Sequence, residues 1–455
     1  MSADQQQPTR QVELGIDTFG DRTADADGTP LPYGQVIRDV VEQAVLADRV
    51  GVDFIGLGEH HRDDFAISAP DMVLAAIAPQ TERIKLGTAV TVLSSDDPVR
   101  VVERFNTLDA LSHGRGEVIL GRGSFTESFP LFGFDLGDYE RLFEEKLAIF
   151  ALARRGEPVT WSGSHRSPLQ DQLIYPLNEN PDGITAWIGV GGSPESVVRS
   201  VQTEIPMMLA IIGGDPARFL PYVDLYHRAQ QQLGVGPMPL GTHSPGYVAE
   251  TDEQAANELW PHFKAQRDRI GRDRGWPPVT REEYDAEIAE GSLYVGSPET
   301  VARKIARTAM LLGLDRFDLK YSNGPMSQPQ LLRAIELYGT EVIPRVREII
   351  AEQQGATRPL RVRERAGAVP RKHRRDGLDA DNAADRRRAE AERVVDEQRE
   401  HRQRRADGQK GEEDDRDIAR EKRNDARRRG GRNGSHGITP RCRRRRPRRP
   451  RPIPR

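Results

Sequence analysis

The chain has 455 residues, with 67 Lys+Arg against 70 Asp+Glu, ten His and a single Cys. The near balance conceals two unlike parts: residues 356–455 hold 34 Lys+Arg and 18 Asp+Glu, a formal +16, whereas the first 355 carry −19 and all 27 aromatic residues. Cys442 lies in the tail, which excludes disulfides, thiolate zinc sites, Cys-ligated iron–sulfur clusters and a cysteine nucleophile from the body. No run approaches about 18 consecutive apolar residues, and the polar segment 1–10, expected to be flexible, has no apolar core of a signal peptide. We therefore expect a soluble, cytoplasmic protein without membrane contact.

Residues 11–350 read as alternating strands and helices. Strand 11–19 is closed by Gly20 and a loop rich in Asp, Gly and Pro. Helix 33–50 shows the four-residue recurrence of Val36/Ile37, Val40/Val41 and Ala44/Val45, and Gly51 stops it. Strand 54–57, helix 69–81, strand 85–93, helix 98–112, strand 116–120 and helix 139–154 follow. An irregular stretch with Trp161 and Tyr175 leads to strand 186–190 and helix 194–202. Strand 207–212, helix 217–233, strand 240–248 and helix 252–272 precede a polar insertion. Helix 298–312, strand 315–319 and helix 328–351 complete the pattern.

Eight short, nearly continuously apolar strands, each followed by helix, suit strands buried under a helical layer. A (β/α)8 TIM barrel with insertions is expected over residues 11–355; a doubly wound open sheet competes, but the even count favours closure. The 356–455 tail has no apolar period and no aromatics, so it is expected to be a disordered, Arg-rich segment. It reads as a solvated appendage, as a basic arm for nucleic acid, or as the text that an out-of-frame GC-rich segment would give.

In a barrel the reacting groups come from the C-terminal strand ends and the loops after them. The candidates are Thr18-Phe19-Gly20, Glu59-His60-His61, Thr91 with Leu93-Ser94-Ser95-Asp96-Asp97, Gly121-Arg122-Gly123, Gly191-Gly192-Ser193-Pro194-Glu195-Ser196, Gly213-Gly214-Asp215, His243-Ser244 and Tyr321-Ser322-Asn323. Such polar residues should be scarce within the strands themselves. The fifth loop offers an anion site: two glycines admit close backbone approach, Ser193 is a natural N-cap, Pro194 suits the first helical position, and the helix end favours phosphate. Arg122 would add a planar cationic fork. The same loop also reads as a well-made strand-to-helix turn, since Gly296-Ser297-Pro298-Glu299 echoes it. His60 and His61 point to opposite faces and are not expected to share a metal ion; one imidazole facing the mouth, or two satisfied by backbone, are the alternatives. No metal site, G-x-S-x-G elbow or G-x-G-x-x-G after the first strand is present to suggest other chemistry.

The segments Val12-Glu13-Leu14-Gly15, Gly58-Glu59-His60-His61, Arg83-Ile84-Lys85-Leu86-Gly87-Thr88, Asp97-Pro98-Val99-Arg100, Ser112-His113-Gly114-Arg115, Gly121-Arg122-Gly123 and Val295-Gly296-Ser297-Pro298-Glu299, in this order and spacing, resemble the bacterial luciferase-like flavin-dependent monooxygenases. The resemblance implies a (β/α)8 barrel, usually a homodimer, that takes reduced FMN from a separate flavin reductase and uses O2 on a small organic substrate. In other branches the cofactor is F420 and the reaction is hydride transfer; a non-catalytic flavin-binding protein is the remaining alternative. His60 matches the family's active-site histidine. Arg122 and Arg141 match positions near the flavin phosphate, as do Gly191, Gly192, Ser193 and Ser196 in the loop after the fifth strand. Thr91, Ser94 and Ser95 match the third-strand end, where the family often has a non-proline cis peptide. The flavin supplies the oxygen chemistry, and the protein supplies position, dryness and a proton donor.

Overall fold

The computed structural model describes residues 11–356, apart from Ala26 and Ser124. The expectations of a flexible 1–10 segment and of a disordered tail beyond 356 lie outside the described residues. Among the described residues eight parallel strands form the barrel: β1 (Glu13–Thr18), β2 (Phe54–Leu57), β3 (Lys85–Val92), β4 (Gly116–Gly121), β5 (Thr185–Val190), β6 (Met207–Ala210), β7 (Leu240–Val248) and β8 (Arg316–Lys320). They run in the order β7-β8-β1-β2-β3-β4-β5-β6, and β6 pairs with β7 to close the sheet. The expected barrel is thus the observed fold. Every C-terminal strand end lies on one rim.

The helices start and stop where local chemistry directs. Helix Pro98–Ser112 begins behind Asp97, whose carboxylate accepts the Val99 N–H at 2.9 Å, with Pro98 at the first position. Helix Tyr33–Val50 ends at Gly51, whose φ of 88° is the left-handed conformation glycine tolerates. Three segments differ from expectation. The irregular stretch contains an antiparallel hairpin, Val159–Trp161 with Leu169–Gln172. The polar insertion holds helix Arg281–Ala289, started by a Thr280/Glu283 capping box, and strand Tyr294–Gly296 beside β7. The single last helix is instead Gln328–Leu337 and Ile343–Ala356, joined by a π turn at Tyr338–Val342. There Gly339 packs so close that a Cβ would sit 2.3 Å from the Val50 side chain.

The two faces of the sheet carry different cores. Outward residues such as Leu14, Ile16, Ile55, Leu86 and Val118 join the helical layer in one large apolar cluster. Inward, Phe54, Ile119, Trp187 and Met208 form a separate small cluster with Ala89 and Val90. The scarcity of polar residues within strands is not observed. Arg316, fully buried, donates to Glu117 at 2.6 Å and to Asp318 at 3.0 Å, with its guanidinium 3.4 Å from the centre of the Phe54 ring. Trp187 Nε1 donates to the same Glu117 carboxylate at 3.3 Å, and Lys85 lies 3.2 Å from it. Burial pushes the Glu117 carboxyl up, but the charges of Arg316 and Lys85 outweigh it and hold it below its ordinary value. In the same space burial pushes the Asp318 carboxyl up to about 7, against the pull of Arg316. Alternation explains the misreading: the charged face of these strands looks into the lumen rather than into solvent. Among the described residues no helix is long and apolar enough to cross a membrane.

Arg316 is a fully buried cation of this interior, so removing a partner strands its charge. Glu117→Ala should cost about 3–5 kcal/mol in urea unfolding at pH 7. Arg345→Ala, which breaks exposed pairs with Glu299 and Glu348, should move the midpoint far less. Equal losses in the two variants would show that the interior pair is no more buried than a surface one.

Candidate active site

His60 follows β2 and is buried among rings. Its imidazole stacks on Phe65 at 4.4 Å, lies 4.8 Å from Phe19 and meets Phe125 edge-on at 5.1 Å. Gly58 makes this possible, since a Cβ there would stand 2.4 Å from the Phe19 ring. Phe19 comes from the end of β1, Phe65 from the loop after β2 and Phe125 from the loop after β4. Three strand ends therefore meet on one imidazole. Glu127 Oε1 lies 3.6 Å from His60 Nδ1; burial would raise that carboxyl, and the contact with His60 outweighs it and holds it low. Above the rings, Arg62 and Arg274 stack on Phe125 at 4.8 and 5.1 Å, and Arg62 donates to Asp273 at 2.8 Å. The end of helix Asp252–Arg274 is in this way tied to the loop that carries His60.

His61 turns the other way, as neighbouring strand-end residues should. Its Nε2 is 2.9 Å from Glu59 Oε1, and the other Glu59 oxygen accepts the Val92 N–H at 2.8 Å. A side cavity of about 240 Å³ lies here, lined by His61, Asp96, Arg104 and Phe132 among others. Thr91 and Ser95 line it too. The Ala89–Val90 peptide is cis, and the β3/β4 register shifts between Ala89 and Thr91. Ala89 and Val90 both join the lumen cluster, and Thr91 donates outward to Thr88 Oγ1 at 2.9 Å. Ser94 is fully buried, its carbonyl accepting from Lys146 Nζ at 2.7 Å and its hydroxyl without a protein partner. Among the described residues no three His, Cys, Asp or Glu side chains are placed to hold a metal ion.

The loop after β5 has the expected cap. Ser193 Oγ accepts the Ser196 N–H at 3.2 Å and bonds the Ser196 hydroxyl at 2.9 Å, and Gly192 has φ 99°. A Cβ on Gly191 would meet nothing within 4 Å, so open space adjoins the backbone there. Arg122, after β4, pairs with Glu140, whose second oxygen lies 3.7 Å from Arg199 on helix Pro194–Gln202. Glu140 thus joins Arg122 to the helix that Ser193 caps. Arg141, the next residue, is exposed. Arg199, which also pairs with Glu144 at 2.7 Å, is a cation of this region that the loop motif alone did not point to.

The lumen wall just below this rim is lined by small residues. Gly121 leaves room for Val90, whose side chain would lie 2.4 Å from a Cβ there, and Gly189 and Ala210 line the neighbouring strands. Further round, His243 on β7 is bonded to Asp17 on β1, and Lys320 on β8 bonds Asp21 at 3.0 Å with its ammonium 4.7 Å from the Phe19 ring. Of these, His243 was among the expected strand-end residues. Asp17, Phe65, Glu127 and Lys320 were not; Asp17 and Lys320 carried the signal of a charge within an apolar strand. The site as built combines an aromatic-walled imidazole, a second ion-paired imidazole and a glycine-lined loop beside two arginines.

Comparison with known proteins places this barrel in a family. The family model for luciferase-like monooxygenases matches residues 15–316. The alkanal monooxygenase alpha chain of the Kryptophanaron alfredi symbiont is 31% identical over 324 residues, 69% of this chain and 84% of that one. Among solved structures, the oxygenating constituent of 3,6-diketocamphane monooxygenase of Pseudomonas putida, a type II Baeyer–Villiger monooxygenase in complex with FMN, superposes with TM-score 0.60 at 18% identity, covering 74% of this chain and 98% of that chain. An F420-dependent secondary alcohol dehydrogenase, in complex with an F420–acetone adduct, does so with TM-score 0.57 at 16% identity, covering 74% and 99%. A family match over most of the barrel leads to one assignment: the chain belongs to the luciferase-like monooxygenase family.

Proposed function

We propose that the protein is a flavin-dependent monooxygenase that uses reduced FMN and O2 on a small organic substrate, with the FMN supplied by a separate reductase. The observation that carries the reading is the placement of His60, in its aromatic enclosure, and the 191–196 loop on the same rim of one closed barrel. The residues present fit such a cofactor. Gly191 leaves backbone open beside a capped helix N-terminus, and Arg122 and Arg199 bring positive charge to it. Arg122, Arg199, Gly191, Gly192 and Ser193 would hold the phosphate; Ser196 holds Ser193 in place, and exposed Arg141 would add long-range charge. A reduced flavin ring supplies the electrons for oxygen activation when bound. His60 would present a ring N–H as proton donor to the bound reactants, with Glu127 3.6 Å from its Nδ1. Phe19, Phe65 and Phe125 keep water from it. Thr91 and Ser95 act behind β3 by shaping its end, not by touching the cofactor, and Ser94 anchors Lys146.

The F420 reading is the second, since a fold neighbour is F420-dependent; the same phosphate and imidazole groups would serve it. Titration of the full chain with FMN, reduced FMN and F420, followed by oxygen uptake, separates the two. Reduced FMN should bind and oxygen should be consumed; uptake of F420 alone with no oxygen consumption would replace the oxygenase by hydride transfer. Arg122→Ala should weaken FMN by up to about 10-fold, since the phosphate contact is gained in exchange for the Glu140 pair, and leave riboflavin binding in place. An equal loss for both ligands would remove Arg122 from the phosphate site.

His60→Ala should cut substrate oxidation by about 100-fold while oxygen is still consumed and peroxide accumulates. Unchanged coupling between oxygen uptake and product would take His60 out of the chemistry.

A further inference from the structure

A second histidine of the lumen has no role in that scheme. β1 and β7 are not neighbours, because β8 lies between them. Nonetheless His243 Nδ1 stands 2.7 Å from Asp17 Oδ2. The link therefore spans β8 on its lumen side. Asp17 is fully buried, and its other oxygen, Oδ1, is buried with no protein partner. The His243 side chain is 13% exposed. Below it the tube is stoppered by Phe54, Trp187 and Arg316, all buried, so that exposed edge opens toward the strand C-termini. The Phe19 ring lies between the two imidazoles, 6.1 Å from His243 and nearly parallel to it, and 4.8 Å from His60.

A carboxylate that accepts Nδ1–H fixes ring orientation and tautomer, favours the imidazolium and leaves Nε2 as the working atom. We propose that His243 is a second acid–base catalytic residue of this site, with Asp17 as its positioning residue. Its Nε2–H gives a proton to negative charge that forms on a nitrogen or oxygen of the bound reactants, and the ring recovers that proton from solvent. No electrons move in this step. The inference rests on the cofactor-dependent reading above and adds a named proton source to it. His60, whose nearest carboxylate oxygen is 3.6 Å away, is held more by rings than by charge.

The groups facing His243 set the sign of its pH dependence. They are Asp17 from β1, Asp318 and Lys320 from β8, and His60 beyond Phe19. Burial lowers the imidazole, and the Asp17 charge and hydrogen bond outweigh it, with Lys320 opposing and Asp318 assisting, so the net shift is upward. The proton is thus kept to higher pH than on an ordinary imidazole, and activity that needs it falls as pH rises through the raised value. Without the Asp17 charge this alkaline limb moves to lower pH.

The test uses the full chain with the cofactor found by titration, as wild type, His243→Gln and Asp17→Asn. Rates are measured across pH, and histidine titrations are followed by 15N NMR without ligand. We expect His243→Gln to lower kcat about 100-fold with cofactor affinity within about threefold. Asp17→Asn should move the alkaline limb and the His243 titration to lower pH. A His243→Gln enzyme within about threefold of wild-type kcat and with the same pH profile would overturn the proposal. So would a His243 titration indifferent to Asp17→Asn; if that variant does not fold, the His243→Gln profile decides alone. Should no flavin-type cofactor bind, the function reading fails, and the NMR titrations still judge the dyad.

Discussion

A closed eight-stranded sheet has an interior about wide enough for side chains to fill, and the groups that fill it here govern everything else. The lower lumen is occupied by Phe54, Trp187 and Met208 around the guanidinium of Arg316. A lone buried guanidinium would be untenable, so Glu117 and Asp318 neutralise it, and Trp187 and Lys85 take up the remaining capacity of Glu117. The upper lumen is lined by residues with little or no side chain, Gly58, Gly121, Gly189 and Ala210. The barrel is thereby a tube plugged at one end and open at the other. Strand-end histidines and helix N-termini gather at the end away from the plug.

The plug also shapes the electrostatics of the mouth. Charged groups rise along β8 at alternate positions: Arg316 in the plug, Asp318 above it and Lys320 near the rim. Each meets a group of opposite sign on another strand or loop, Glu117 for Arg316, His243 near Asp318, and Asp21 for Lys320. This ladder keeps charge inside a low-dielectric wall where it acts at short range. Asp17 sits beside it, opposite Lys320 in the strand register, and turns toward His243.

The outer half of this design was legible in the sequence. Short apolar strands pack on helices, and Gly51 and Ser193 mark where two of those helices end and begin. The rim was legible because loops after buried strands carry polar residues, which placed His60, Arg122 and Gly191 at one end. The lumen was not. Arg316-Phe317-Asp318-Leu319-Lys320 alternates like a half-solvated strand, and nothing local says that its charged face is buried on the inside of a tube. Nor does the chain announce pairs such as Asp17 with His243, 226 residues apart. Nor does it announce that consecutive inward residues Ala89 and Val90 shift the parity of β3, so that Thr91 faces the side cavity behind the strand.

In the proposed phosphate site, binding is an exchange rather than a simple addition. Arg122 is already paired with Glu140, which also reaches Arg199, and Arg199 holds Glu144 as well. An incoming phosphate must therefore share or displace carboxylates to engage those guanidinium groups, and its gain is the difference between two ion pairs instead of a whole one. The acidic body, formally −19 over its first 355 residues, adds a long-range term against any anion. Both effects favour a site in which backbone N–H groups and the helix end at Ser193 bear a large part of the recognition, with the arginines setting position. The open space beside Gly191 is consistent with that division, because it lets an anion approach main chain that no carboxylate can neutralise. Selectivity between phosphate-bearing and phosphate-free ligands then depends on the loop as much as on Arg122.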